Sequence, residues 1–332
     1  MKQATKDKLI VKGYKVVSWL CWKVPTPVSY ALADIGGDIY YWVARNHSRY
    51  ADYNMQIVLG EPKINGRVRL VARHSFRNYV KYLVDFLRQP HMSAEEIMEH
   101  AVGVGWEYID GALEEGKGLM LITPHFGNWD GAAAVVGGLG YTFSTVAKDF
   151  EPPELNELIQ GARREKGAII YSLKDSFRGL FSTIKKNGIV VLLLDSPLRN
   201  EGIVVNFFGK PARLASGPGT LVYRTGAKLV LGYMARQPDN RSYYGCWEPP
   251  LEYTLTGDHD EDIKAITQAI ATAIEKVVRR HPDQWYMFRR LFLTDEEVAE
   301  HNRMELERTT GKIERRSRLK NNKVKENVTN QS

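Results

Sequence analysis

At 332 residues with 43% hydrophobic side chains, the chain can bury a substantial core, which excludes a polypeptide that is disordered as a whole. Its two cysteines, Cys21 and Cys246, lie far apart and match no disulfide or metal-ligand framework, so a reducing compartment and no zinc or redox chemistry are expected. The net charge of +7 is not a nucleic-acid signature of the folded part: between Arg308 and Glu326 eight Lys or Arg face two Glu, a net of +6.

In chain order, Leu9 to Trp22 is apolar and aromatic but interrupted by Lys12 and Lys15, and Thr26 to Ala44 is broken by Asp34 and Asp38. Neither supplies the roughly 20 uninterrupted apolar residues of a membrane span, and no small-residue cleavage pattern follows a clean apolar segment. They read as an amphipathic helix pair carrying Trp19, Trp22, Tyr30, Tyr40, Tyr41 and Trp42. These rings suit either core packing or insertion at a headgroup boundary, and composition leaves both open. Arg69 to Arg88 has Leu70, Phe76, Tyr79, Val80, Leu83 and Phe86 at helical spacing. Ser93 with Glu96 forms a capping box that starts a helix running toward the glycines at 116 and 118.

The middle changes character. Leu119 to Thr123 reads as a buried strand, Asp130 to Val136 as a helix of small residues, and Tyr141 to Lys148 as a strand. Pro153 to Lys166 reads as helix, Ala168 to Ser172 as strand, Ser176 to Asn187 as helix and Ile189 to Asp195 as a continuous apolar strand. After a loop come a helix at Gly217 to Thr225, strands at Ala227 to Met234 and Tyr243 to Trp247, and a long helix at Asp260 to Arg280. Alternation of this kind implies crossover connections and an α/β fold: a central, largely parallel sheet flanked by helices. The N-terminal helical region before it is membrane-facing if its rings insert at the headgroup boundary. The expected organisation is a helical region at 1–92 packing on the catalytic domain, an α/β domain at 93–305 and a basic tail at 306–332. The tail reads as a solvated extension or as a polybasic contact with anionic lipid; with no aromatic residue among its charges, nucleic acid is not expected as a partner.

The chemistry concentrates in Pro124-His125-Phe126-Gly127-Asn128-Trp129-Asp130, where a buried strand runs out into a helix. Loops leaving the carboxyl ends of such strands gather ligand sites. A neutral imidazole there can take a proton near pH 7, and a nearby carboxylate can hold its other nitrogen, a division of labour that fits His125 and Asp130. Gly127 and Asn128 permit a tight turn, and Gly131-Ala132-Ala133-Ala134 lets the helix lie close to the sheet.

At this point the sequence resembles the bacterial lipid A acyltransferases and phosphatidylinositol mannoside acyltransferases, within the wider glycerolipid acyltransferase group, whose signature is a His and an acid separated by four residues. The resemblance runs from about Gly13 to Phe292. Ser75-Phe76-Arg77-Asn78-Tyr79 with Tyr82 looks like the family's upstream helix, and Ala162-Arg163-Arg164-Glu165-Lys166-Gly167 like its second block. Asn206-Phe207-Phe208-Gly209-Lys210-Pro211-Ala212 is similar to its third, and His281-Pro282-Asp283-Gln284-Trp285-Tyr286-Met287-Phe288 to its last. Asp195-Ser196-Pro197 departs from the family's pattern: Asp195 matches the first of two acids and the second is absent. Leu229-Val230-Leu231 also lacks the proline often found after Gly226-Ala227.

The resemblance implies an O-acyltransferase that moves a fatty acyl group from acyl-CoA or acyl carrier protein, as co-substrate, to a hydroxyl of a membrane glycolipid, with a lysophospholipid as the alternative acceptor. His125 would be the general base, Asp130 would fix its ring, and Asp195 would be a second partner. Backbone N–H groups around Gly127 to Trp129, or Arg164, are candidate donors to the oxyanion, and Arg199 could add positive charge. Phe126, Gly127, Asn128 and Trp129 would contact substrate, and Phe207 and Phe208 would line an acyl groove. No metal or redox cofactor is expected, and the implied location is the cytosolic face of the inner membrane, with peripheral attachment to an anionic surface. Two other enzyme classes fail on sequence: no Gly-x-Ser-x-Gly elbow occurs, and Gly103-x-Gly105 and Gly217-x-Gly219 lack the third glycine of a dinucleotide loop. A non-catalytic membrane-surface protein of the same fold is the remaining alternative.

Overall fold

The computed structural model describes residues 3–173, 176–196, 202–304 and 307. The chain divides into two compact units, residues 1–291 and 292–332; the first holds both the N-terminal helices and the sheet, so no break between units falls at 92/93. In the second, residues 295–304 are helical, and the expected basic tail lies outside the described residues apart from Glu307.

Four helices lead the chain: α1 (Gln3–Lys23), α2 (Thr26–Val43), α3 (Arg45–Val58) and α4 (Gly66–Arg88). Helix α4 starts where the Asn65 side chain accepts from the Val68 amide, and it packs against α1, α2 and α3. Between α2 and α4, Asp38 receives the guanidinium groups of both Arg73 and Arg77. The aromatic residues of this region divide. Tyr30 and Tyr41 are buried, whereas Trp19, Trp22 and Trp42 are exposed. Leu32, Ile35, Ile39 and Trp42, each more than half exposed, follow one another at three- and four-residue spacing along the outer face of α2. Leu9, Val16 and Leu20 of α1 are exposed as well. Among the described residues no helix is long and apolar enough to cross a membrane.

A seven-stranded sheet follows, built from β1 (Ala101–Val104), β2 (Leu119–Thr123), β3 (Phe143–Val146), β4 (Ala168–Tyr171), β5 (Ile189–Leu193), β8 (Lys228–Arg236) and β9 (Tyr243–Trp247), in the order β1-β9-β8-β2-β5-β3-β4. Every pairing is parallel except β8 with β9. The central strands β2 and β8 are buried almost throughout, as strands covered on both faces must be. Helices α6 (Trp106–Glu114), α7 (Trp129–Gly138), α8 (Pro153–Arg164), α9 (Ser176–Lys185), α10 (Gly217–Thr225) and α11 (His259–Arg280) flank them.

Two elements differ from the expectation. The single helix expected to run on from Ser93 stops as the short α5 (Ala94–Met98), after its capping box, and gives way to β1. Gly103 and Gly105 disfavour helix there, and Gly105, at φ 84°, starts α6 in a conformation that side chains rarely adopt. The loop expected after β5 contains an antiparallel hairpin, β6 (Ile203–Phe207) with β7 (Lys210–Leu214). Its two-residue turn puts both Phe208 and Gly209 at positive φ, the geometry that matches strand twist, but Phe-Gly is not the usual sequence signal for it.

Candidate active site

Parallel register assembles the site. Thr123 of β2 lies beside Leu193 of β5, so two residues further on His125 and Asp195 emerge side by side at the carboxyl edge of the sheet. The His125 amide donates to Asp195 Oδ2 at 2.9 Å, and its ring Nδ1 meets Asp195 Oδ1 at 2.6 Å. Trp285 completes the carboxylate's shell, its indole Nε1–H donating to Oδ2 at 2.8 Å. Asp195 and Trp285 are wholly buried, while one third of the His125 side chain is exposed.

The loop that carries the histidine is clamped from two sides. The His125 carbonyl accepts from Tyr286 at 2.9 Å, Gly127 donates to Gln284 at 2.9 Å, and Asn128 donates to Met234 of β8 at 3.0 Å. Gly127 sits at φ 54°, and a Cβ there would lie 1.9 Å from the Met234 carbonyl, so only glycine lets the chain pass this close. Asn128 then caps α7 by accepting from Gly131.

Charge follows from this geometry. Burial opposes a charged imidazole, but the Asp195 carboxylate, through its charge and its hydrogen bond, outweighs it and holds the His125 pKa above the ordinary value. Burial likewise opposes the Asp195 charge, and the imidazole and the three N–H bonds overcome it to keep the carboxyl below its usual range. An ionised carboxylate only accepts, so Nδ1 carries the proton of the neutral imidazole and Nε2 carries the lone pair. The contact holds the imidazole in one tautomer.

The structure reassigns the two acids. The carboxylate on the imidazole is Asp195 rather than Asp130, whose oxygens are taken by the Tyr82 hydroxyl at 2.7 Å and by Arg163 Nε and Nη2 at 2.9 and 3.3 Å. Asp130 therefore ties α7 to α4 and α8. Tyr82 stacks on Trp129, at 3.8 Å between centroids, and Trp129 meets the His125 ring edge-on at 5.5 Å.

Other expected residues fall in different places. Arg164 points away from this cluster and pairs with Glu157 at the surface, 44% exposed. The amides of Gly127 and Asn128 are spent on Gln284 and Met234, which removes them as oxyanion donors and leaves Trp129, in the first turn of α7, of the three proposed. Phe126 is buried against Tyr233 and His281. Phe207 and Phe208 are buried and pack on Trp285, so they back the acid instead of lining an open groove. Arg199 lies outside the described residues. Among the described residues no cluster of His, Cys, Asp or Glu could hold a metal ion.

Sequence reasoning gave no role to Trp285, Tyr82 or Arg163. Each lies inside a block quoted for the family resemblance, and for Arg163 a signal existed: Ile159 and Gln160 are buried, and the helical repeat carries that face to residue 163, leaving 164 outside.

Residues 7–294 match the family of bacterial lipid A biosynthesis acyltransferases. A phosphatidylinositol mannoside acyltransferase of Mycobacterium tuberculosis is 30% identical over 260 residues, covering 76% of this chain and 79% of that protein. The Mycolicibacterium smegmatis protein of the same name is 28% identical over 247 residues, covering 73% and 78%.

Proposed function

Because the chain belongs to the bacterial lipid A biosynthesis acyltransferase family, and is an acyltransferase of glycolipid biosynthesis, we propose that His125 is the general base of a direct O-acyl transfer from an acyl thioester to a glycolipid hydroxyl. The observation that carries this reading is the His125–Asp195 pair, at 2.6 Å, with Nε2 left to face substrate.

The acceptor hydroxyl is a poor nucleophile at its ordinary pKa. His125 Nε2 takes its proton as the oxygen attacks the thioester carbonyl carbon, and the C=O electron pair moves onto oxygen. General-base help of this kind contributes about 10²–10⁴-fold. Asp195 stabilises the imidazolium that forms and fixes the ring. The tetrahedral intermediate collapses with cleavage of the C–S bond, and the thiolate of CoA or of the acyl carrier protein leaves with the proton held on Nε2. The products are an ester and a free thiol, and no covalent enzyme intermediate is needed.

Attachment to an anionic membrane surface through α1 and α2 belongs to the same reading. The exposed apolar row on α2 and the exposed apolar residues of α1 support it, together with Lys8, Lys12 and Lys23 on α1. The acceptor is then a lipid presented at the cytosolic leaflet, of the mannosylated phosphatidylinositol or lipid A type.

Mass spectrometry of lipid extracts from cells carrying the wild-type protein or His125→Ala tests the assignment. One glycolipid should lose a single acyl chain in the mutant; an unchanged lipid profile with both proteins folded and expressed would refute it. Sedimentation with anionic vesicles, lost in a Leu32→Asp, Ile35→Asp double variant, tests the membrane contact.

A further inference from the structure

A second concavity opens at the same end of the sheet, beyond Asn128. It encloses about 480 Å³ between the end of α4, the start of α2, α5 and the strands β8 and β9, within the size range of small-molecule sites. Asn128 lies in its wall, three residues from the proposed base.

The walls mix apolar side chains, among them Trp22, Tyr30, Met92, Ile97 and Met234, with polar ones. Asp85, Arg88, Gln89, Glu96, Asn128 and Arg241 all contribute, so both donors and acceptors surround the space. Gln89 is more than nine-tenths buried, yet its amide Nε2 has no hydrogen-bond partner. Behind the wall, Arg236 is as deeply buried; Asp85, which also accepts from Tyr30 and Tyr243, takes its Nη2, but its Nε and Nη1 have none. An unpaired buried donor costs about 1–3 kcal/mol, and an alkyl chain would leave Gln89 unpaired. Hydroxyl groups both donate and accept, and the ring that carries them has apolar faces to set against Trp22, Tyr30 and Tyr243, so a polyhydroxylated ring suits the mixed lining.

The mouth supplies the second half of the argument. Trp22, Thr26 and Pro27, at the junction of α1 and α2, line the opening, and Arg88 fixes that junction by donating to the Thr26 hydroxyl at 2.6 Å and the Val24 carbonyl at 3.3 Å. These are the helices that expose apolar residues. Trp22, itself an exposed apolar residue of α1, stands at this mouth, so a lipid held at that surface could reach the opening with its head group.

We propose that this cavity binds a neutral, polyhydroxylated ring of the acceptor's head group, a sugar other than the one bearing the reacting hydroxyl, with Gln89 as a donor to a ring hydroxyl. This inference rests on the reading of the chain as a glycolipid acyltransferase at a membrane surface. It assigns the cavity to acceptor selection, separate from the chemistry at His125.

Calorimetric titration of the full chain with octyl mannoside, with octanol and octanoate as probes lacking the ring, tests it. Wild type should bind the mannoside in preference to both, and Gln89→Leu should weaken mannoside binding about tenfold, the value of one buried hydrogen bond. Arg241→Ala, at the exposed rim and harmless to folding, should weaken it about threefold. Mannoside affinity within twofold of wild type in both variants overturns the proposal, as does octanol or octanoate binding as tightly as the mannoside. His125→Ala separates this inference from the one beneath it. Mannoside binding retained there, with acyl transfer absent even from wild type, sinks the enzymatic reading alone; transfer by wild type with mannoside binding indifferent to Gln89 sinks the cavity assignment alone.

Discussion

Asp195 and Asp130 flank the same histidine and are held for different purposes. Asp195 stands at the end of β5, wholly buried, and spends its oxygens on three N–H donors, two from His125 and one from Trp285. Asp130 stands in the first turn of α7 and is bound by a tyrosine from α4 and an arginine from α8. The first arrangement fixes a proton on one nitrogen; the second fixes three helices around the loop that carries it. Nearness in sequence favoured Asp130, five residues from the base, but strand register placed a residue 70 positions away on the imidazole.

The sharpest test of this division is Asp195→Asn. An amide there keeps the shape but removes the charge and can present N–H to Nδ1, favouring the wrong tautomer, so kcat should fall about 10³–10⁴-fold with folding intact. The pH profile gives an independent reading. In wild type, kcat/KM should rise with pH and level off above an inflection higher than the ordinary histidine value of about 6.5, because the neutral ring is the active form. In Asp195→Asn burial is opposed only by the weaker influence of the Asp130 charge, and the residual activity should show its inflection at lower pH than wild type. An inflection that does not move would disconnect Asp195 from the base.

Asp130→Asn should act through stability. It removes the charge facing Arg163, whose side chain is 23% exposed, so the loss is below the roughly 3–5 kcal/mol of a fully buried pair and nearer 2–3 kcal/mol. Denaturant unfolding measures it. At temperatures where the variant stays folded, its pH inflection should fall only slightly, because the Asp130 charge raises the His125 pKa less than Asp195 does; a shift as large as that of Asp195→Asn would give the two acids a common role.

The sheet and its helices were legible because short, nearly continuous apolar runs alternated with helical patterns from Leu119 to Arg280. Strand β1 was hidden because four residues, with Gly103 inside and Gly105 just after, carry too little pattern against the helical signal around them. His125, the proposed base, was legible as a candidate from its place after a buried strand. Its partner was only half so: Asp195 was recognisable as a strand-end acid, yet its contact with His125 depends on which strands are neighbours and in what register, which single-strand pattern does not encode. Trp285 follows α11, 90 residues beyond the acid it touches, and a buried tryptophan reads as core until its indole N–H is seen to have a carboxylate partner.

Trp285→Phe probes that contact at smaller amplitude. Phenylalanine keeps most of the packing against Phe207 and Phe208 and deletes one donor to Asp195. The carboxylate retains both bonds from His125, so the tautomer stays and only the restraint on the acid is lost. A fall of about tenfold in kcat with KM unchanged is expected, at the low end of what a hydrogen bond to a charged group contributes.

The smallest effect separates two adjacent arginines. One residue turns α8 by about 100°, so Arg163 meets Asp130 inside while Arg164 reaches only Glu157 in solvent. An exposed pair of that kind contributes about 0–1 kcal/mol, and Arg164→Ala should leave unfolding free energy within that range and turnover within about twofold. Arg163→Ala should instead approach the stability loss of Asp130→Asn, and the double variant Arg163→Ala, Asp130→Asn should be less unstable than the sum of the two, because each single change strands its partner. Turnover falling tenfold or more in Arg164→Ala would return that residue to the oxyanion role that its surface position argues against.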